Sequence, residues 1–336
     1  MSATRSGARN DARTGAPERS GLGTRSGLAA TRRFLERLGL PPGDLHDLPA
    51  SKKRFPDGAH YRIEIPSTEG PSGLAAVIEE AARLEVPVHR VSQGSGVFML
   101  TDRELDEMAA LAAEAKVEVS LFARPNAAWD TSALARAPAG GVVAASARGQ
   151  DQLVYVLEDV RRAAEHGFRS VLIADLGVLS VFGEMRQLGE LPREMQAKVS
   201  VMLPVANPAA AREIVSLGAN TLNLPTDLTL AQIAAIRAAV DVPLDLYVEA
   251  PDNLGGFVRL PEVAEIVRVA APVYLKFGLR NAPDIYPTGA HLEATAVALS
   301  RERVRRARLA LEILGRGEFV AVSSAPGAAG LAVPIA

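Results

Sequence analysis

The chain has 336 residues, a formal net charge of -2, 48% hydrophobic residues, one Trp and no Cys, which is enough chain for one large α/β domain or two ordinary ones. The near-neutral charge leaves no electrostatic footprint for nucleic acid or an anionic membrane, and the missing thiols exclude disulfides, thiol catalysis and cysteine-bound iron–sulfur or zinc centres. No apolar run reaches the roughly 18 residues that span a bilayer and no apolar leader opens the chain, so the expectation is a cytoplasmic protein with a small-molecule substrate and neither nucleic-acid nor membrane partners.

Residues 1–26 are rich in Arg, Gly and Ser and read as a disordered tail. LAATRRFLERLGL follows as an amphipathic helix closed by Gly39, Pro41 and Pro42, and residues 27–58 form this helix and a linker. A repeat then begins. The strands are HYRIEIP (60–66), VPVHRVSQGSG (86–96), which runs into a Gly-rich loop, and VEVSLFARPN (117–126). SVLIADLG (170–177), KVSVMLP (198–204), TLNL (221–224), LDLYVEA (244–250) and PVYLKFG (272–278) complete them. Helix-forming sequence follows each strand. Thr101 and Glu104 make a capping box, and Thr229 caps a helix whose Leu230, Ile233, Ile236 and Val240 recur at helical spacing. A long charged helix covers about 290–315, and 317–336 reads as a loose tail.

Successive strands start about 22 to 30 residues apart, the size of one βα unit in a barrel. One interval is near 53, and its excess, 124–148, is a candidate lid or a surface elaboration. Residues 59–316 are therefore expected to form a single-domain (β/α)8 TIM-type barrel. No unit carries a dinucleotide fingerprint, since Gln93-Gly94-Ser95-Gly96 is too short, so NAD is not expected.

A barrel of this type places its site at the C-terminal strand ends. Those ends carry Glu64, then Arg90 and Gln93, then Arg124 and Asn126, Asp175, Asn207, Asn223, Asp245 with Glu249, and Lys276. Charges that interrupt apolar strands must pair with each other, bind an ion or meet a substrate. Glu64, Asp175 and Glu249 are candidate ligands of a divalent metal such as Mg²⁺ or Mn²⁺, or a candidate general base. Arg90 and Arg124 suit bidentate capture of a carboxylate or phosphate, with Gln93, Asn126 and Asn223 as polar contacts. Lys276 is a candidate proton donor, electrostatic stabiliser or Schiff-base amine. The competing reading is an internal ion-pair network that serves only to close the barrel. His89 should point away from Arg90, toward a helix.

Residues 206–250, ANPAAAREIVSLGANTLNLPTDLTLAQIAAI followed by VPLDLYVEA, resemble the peptidase U32 family. The resemblance extends more faintly through HRVSQGSG, SLFARPN and VLIADLG. It implies a (β/α)8-like catalytic domain in a family labelled as peptidases, whose members also act in hydroxylation with a cysteine-bound cluster. The chain departs from that pattern by having no Cys, so no iron–sulfur cluster and no cluster-dependent activity carry over. It also has Pro225, Thr226 and Asp227 where the family has an arginine–glutamate pair, and Glu249 with Ala250 where the family has histidine–glycine. The expectation is an enzyme acting on a small carboxylated metabolite by acid–base chemistry, metal-assisted or not. A hydrolase and a non-catalytic ligand-binding barrel are the alternatives. Arg301, Arg303, Arg305, Arg306 and Arg308 mark the last helix as a cover for the barrel or a surface for a second copy.

Overall fold

The computed structural model describes residues 27–125, 133, 134, 137 and 145–335. The tail expected over 1–26, Asn126 and most of the candidate lid lie outside them.

Eight parallel strands close on themselves in chain order. They are β1 (Tyr61–Pro66), β2 (Val88–Ser92), β3 (Glu118–Ala123), β4 (Ser170–Ile173), β5 (Gln196–Val199), β6 (Thr221–Asn223), β7 (Leu244–Glu249) and β8 (Val273–Phe277). Outside them stand α1 (Gly27–Arg37), α2 (Gly70–Leu84), α3 (Asp102–Ala115), α4 (Gly149–Glu165), α5 (Leu176–Leu188), α6 (Pro208–Ser216), α7 (Leu230–Ala239), α8 (Val263–Ala270) and α9 (Glu293–Leu314). The (β/α)8 barrel is thus the architecture. β5 begins at Gln196 and ends at Val199, so the strand expected to run from Lys198 to Pro204 is shorter and starts earlier.

Local chemistry sets the helix starts. Thr101 with Glu104 and Thr229 with Gln232 form capping boxes on α3 and α7. Asp175 accepts from the Val178 amide and Asn207 from the Ala210 amide, so both are helix caps.

The strands are buried on both faces, but the two faces differ in kind. The outward side chains Ile63, Ile65, Val91, Val119, Leu121, Val171, Ile173, Val199, Leu246 and Leu275 pack with the helices into one continuous apolar layer. That layer is where burial stabilises the fold, at about 25 cal/mol per Å². The inward side chains are mostly polar or charged.

The helical ring is completed at the side of the barrel, and the chain end covers its N-terminal side. α9 lies along α2 and α8, buries Ala296, Val304, Ala307, Ala310 and Leu314, and so covers the barrel. The segment after it is not loose. Ser323 bridges Tyr61, the Ala332 amide donates to Glu118 Oε2 at 3.2 Å, and the Ile335 amide donates to the Gly167 carbonyl at 2.9 Å. The chain end therefore crosses the N-terminal side of the barrel from β1 toward β4. The buried Arg62 needs it: Nε donates to Ser324 Oγ at 2.9 Å and Nη2 to the Ala329 carbonyl at 2.7 Å.

Candidate active site

Strand alternation brings Glu64 (β1), Arg90 (β2), Glu118 (β3), Lys198 (β5), Asp245 (β7) and Lys276 (β8) into the barrel interior, each no more than 2% exposed. Glu64 is the hub. Its Oε2 accepts from Arg90 Nε at 2.8 Å and Nη2 at 2.5 Å. Its Oε1 takes Lys198 Nζ at 2.7 Å, Ser92 Oγ at 2.8 Å and Lys276 Nζ at 3.3 Å. Arg90 Nη2 also lies 2.7 Å from Asp245 Oδ1, and Lys198 Nζ 3.5 Å from Asp245 Oδ2. The Arg90 guanidinium stacks 3.5 Å above the Tyr274 ring.

The cluster is electrically balanced, three cations against three carboxylates, and its protonation follows from its neighbours. Burial pushes the Glu64 carboxyl up, but Arg90, Lys198 and Lys276 together hold it well below the usual carboxylate range. Burial lowers the Lys198 ammonium to about 8 against the opposing pull of Glu64, with the positive Lys276 and Arg90 assisting. Burial tends to lower Arg90 as well, but Asp245 and Glu64 overcome it and hold the guanidinium charged.

Toward the C-terminal strand ends, Lys276 Nζ sits 4.4 Å over the Tyr247 ring. With the Asn223 amide turned so that its oxygen faces Lys276, that oxygen accepts from Nζ at 2.8 Å and the nitrogen donates to the Asp245 carbonyl at 3.2 Å. Across the mouth, Phe122, Leu172, Ala174 and Met202 form a small apolar cluster. One half of the mouth is thus cationic and hydrogen-bonding, the other apolar.

Three loops are strapped together above the polar half. The Tyr286 hydroxyl donates to Ser67 Oγ, the Thr288 amide donates to Ser95 Oγ at 2.8 Å, and Arg303 Nη1 donates to the Ser67 carbonyl at 3.1 Å. Glu69 accepts from the Gly94 and Ser95 amides at 2.6 and 3.3 Å, and burial pushes its carboxyl up. The Tyr286 ring rests on Gly94, where a Cβ would come within 2.4 Å of a ring carbon. Glycine at 94 is what allows that contact.

Several sequence-based assignments need correction. Glu64, Asp175 and Glu249 do not converge. Glu64 is consumed by the interior cations, Asp175 caps α5 and accepts from the Ala147 amide, and Glu249 pairs with Arg306 Nε at 3.0 Å and accepts from the Arg280 amide. Among the described residues no three or more His, Cys, Asp or Glu gather as a metal site. The strand register slips between Tyr247 and Glu249, which is how Glu249 comes to face α9. Arg90 is not a free clamp, since its guanidinium already holds Glu64 and Asp245. Gln93 exchanges both amide contacts with Gly96 in its own loop, and Arg124 donates to the Gly94 carbonyl at 3.0 Å beside Phe122 and Tyr286. Lys276 and Asn223 do meet, at the mouth side of the cluster.

His89 points outward as expected, yet it meets backbone, not a helix. Its Nδ1 accepts from the Ile63 amide at 3.0 Å and its Nε2 lies 2.9 Å from the Ser324 carbonyl, where the β1–β2 register shifts. Sequence reasoning left out Lys198, Glu118 and Tyr247. The available signal was a polar group at every second position of an apolar strand, as in Gln196 with Lys198 and Asp245 with Tyr247.

A closed parallel barrel whose axis is lined with ion pairs defines the class, a (β/α)8 barrel with a charged interior. Residues 142–250, from just before α4 to the end of β7, match the model of Peptidase family U32, and over that segment the chain is U32-like. No curated protein matches the chain. Among solved structures it is similar to the U32 peptidase Mk0906, with 17% identity, 60% of this chain and 73% of that one covered, and a TM-score of 0.38. It is also similar to a truncated 3-deoxy-D-arabino-heptulosonate 7-phosphate synthase from Thermotoga maritima (16% identity, 80% and 91% covered, TM-score 0.41). A third is a dimeric archaeal Rubisco from Hyperthermus butylicus (13%, 83% and 72%, 0.44).

Proposed function

We propose that this U32-like barrel is an enzyme that takes a small carboxylated metabolite into the polar half of its mouth and works on it by acid–base chemistry. The observation that carries the reading is the pair of buried ammonium groups, Lys198 and Lys276, resting on the single oxygen Glu64 Oε1 next to Tyr247 and Asn223.

The physical argument is one of cost. Burying an ion pair costs several kcal/mol per ion in desolvation, and apolar side chains of similar volume usually serve stability as well or better. Barrel interiors are commonly filled by apolar layers. This one keeps a cluster of six linked charges there, while its main apolar layer lies between strands and helices and only a small apolar cluster sits at the mouth. Charges held at that cost are explained by a ligand that exchanges for one of the internal partners. Lys276 is the group best placed to do so: its contact with Glu64 is the longest of that carboxylate's ionic contacts, and its remaining partners are an amide oxygen and a ring face. An incoming carboxylate would take over Lys276, with Tyr247 and Asn223 as orienting groups. The peptidase reading rests on the family match alone.

The test is thermal unfolding of wild type and Lys276→Gln against a panel of small mono- and dicarboxylates. One or more should raise the wild-type Tm and leave the folded variant unmoved. If no carboxylate stabilises the wild type, or the variant responds equally, the reading is wrong.

A further inference from the structure

We propose that Lys198 is a covalent amine, condensing with the carbonyl carbon of a small 2-oxo acid held in the barrel interior. The inference rests on the reading of the interior as the ligand site and adds a reaction to it.

Position is the first ground. Lys198 stands on β5 and spans the barrel axis to Glu64 on β1 at 2.7 Å, with Asp245 of β7 at 3.5 Å, so its nitrogen lies near the centre of the barrel. Its side chain is 1% exposed. A ligand anchored on Lys276 would therefore meet Lys198 next, because both nitrogens approach the same oxygen of Glu64, at 2.7 and 3.3 Å.

Crowding of charge is the second ground. Arg90, Lys198 and Lys276 all bear on one carboxylate, and Arg90 holds its other oxygen through two nitrogens. The cluster is balanced overall by Asp245 and Glu118, but where three cations crowd the one Glu64 carboxylate a lysine is the cation able to give up its proton, since a guanidinium stays charged. Burial and the second lysine both favour this at Lys198, whose ammonium falls to about 8, while Glu64 and Asp245 oppose it. Tyr247 also faces it, and burial keeps that phenol protonated. A desolvated lysine beside another cation is the arrangement that makes an amine nucleophilic near neutral pH.

The step balances without an oxidant or reductant. The neutral amine adds its electron pair to the carbonyl carbon, forming a C–N bond as the C=O π bond breaks. The C–O bond then breaks and the oxygen leaves as water. Two of the three hydrogens of the original ammonium depart with it, and the product iminium keeps the single positive charge.

The chain has five lysines, Lys52, Lys53, Lys116, Lys198 and Lys276, so one experiment reads them all. Full-length protein is incubated with pyruvate or glyoxylate and cyanoborohydride, cut with a protease that ignores lysine, and mapped by mass. The expected result is a reduced adduct on Lys198 that forms at least about tenfold faster than on Lys52, Lys53 or Lys116 and accelerates as pH rises from about 7 to 9. Lys198→Arg, which keeps a cation beside Glu64, should remain folded by circular dichroism and lose the adduct. Labelling confined to the three outer lysines, labelling at Lys276 instead, or no labelling at all would overturn the proposal. If pyruvate raises Tm through Lys276 yet no adduct forms on Lys198, the covalent step fails and the binding site stands. If it does neither, and no other carboxylate stabilises the protein, both fail.

Discussion

Removing the charge of Glu64 leaves Arg90, Lys198 and Lys276 without the carboxylate they share, in a place water does not reach. Breaking a buried pair from one side costs about 3–5 kcal/mol, so Glu64→Gln should lower the unfolding free energy by about that much in urea titration. A loss below about 1 kcal/mol would mean that the interior is wetter or looser than these contacts imply. His89 gives a separate, pH-dependent signature. Burial lowers its imidazole to about 4, against a contribution from the Ser324 carbonyl that raises it. The neutral ring is therefore the form the fold holds, and its contribution is fully present above the unfolded value near 6.5. Between about pH 6.5 and 4 the unfolded chain binds the extra proton, so stability falls, by up to about 3 kcal/mol. His89→Gln should flatten that slope in denaturant midpoints measured across this range. An unchanged slope would contradict the assignment.

At the scale of elements, the loop joining β8 to α9 is tied down by contacts that can be tested one by one. It is held over the mouth chiefly through Tyr286 on Ser67 and Thr288 on Ser95, and the Tyr286 ring needs a glycine beneath it. Gly94→Ala should push that ring away and release the hydroxyl from Ser67. The expected outcome is faster amide exchange over residues 280–290 with the exchange of the strands unchanged. Protection of the loop equal to wild type would show that Tyr286 does not latch it. The same scale shows why some residues were misread from sequence. Asp175 and Asn207 each follow a strand and precede a helix, and a short polar residue there serves equally well as a barrel-facing ligand or a helix cap. Only the hydrogen bonds to Val178 and Ala210 decide between them. Glu249 was misplaced because a register slip in β7 has no sequence mark. Lys198 was missed because β5 starts two residues earlier than its apolar run suggests.

For the whole molecule, the barrel was legible because a period-two apolar face and an intervening helix recur at regular spacing, and that pattern is local. What the pattern does not carry is how the interior side chains of distant strands pair. Glu64 meets Lys198 across 134 residues of sequence, and Arg62 meets the Ala329 carbonyl across 267. The closing role of the chain end was hidden for the same reason, since its contacts with Tyr61, Glu118 and Gly167 are all long-range. Deleting residues 318–336 would leave the buried Arg62 with Tyr274 and the Phe55 ring as its remaining contacts. A buried charge so deprived is costly, and the truncated chain should unfold at a Tm lower than the full chain by several degrees. An equal Tm would show that the end is only draped on the barrel.

A ligand site and mere internal bracing make different demands on the charged interior. Lysine ε-carbon NMR separates them most directly, because two of the five lysines are buried and three are not. Titration with the carboxylate that stabilises the protein best is predicted to shift the Lys276 signal, and with it Lys198, along one saturable curve while Lys52, Lys53 and Lys116 stay in place. Saturable binding that leaves both buried signals unmoved would contradict the ligand site and return the cluster to the role of an ion-pair network that closes the barrel.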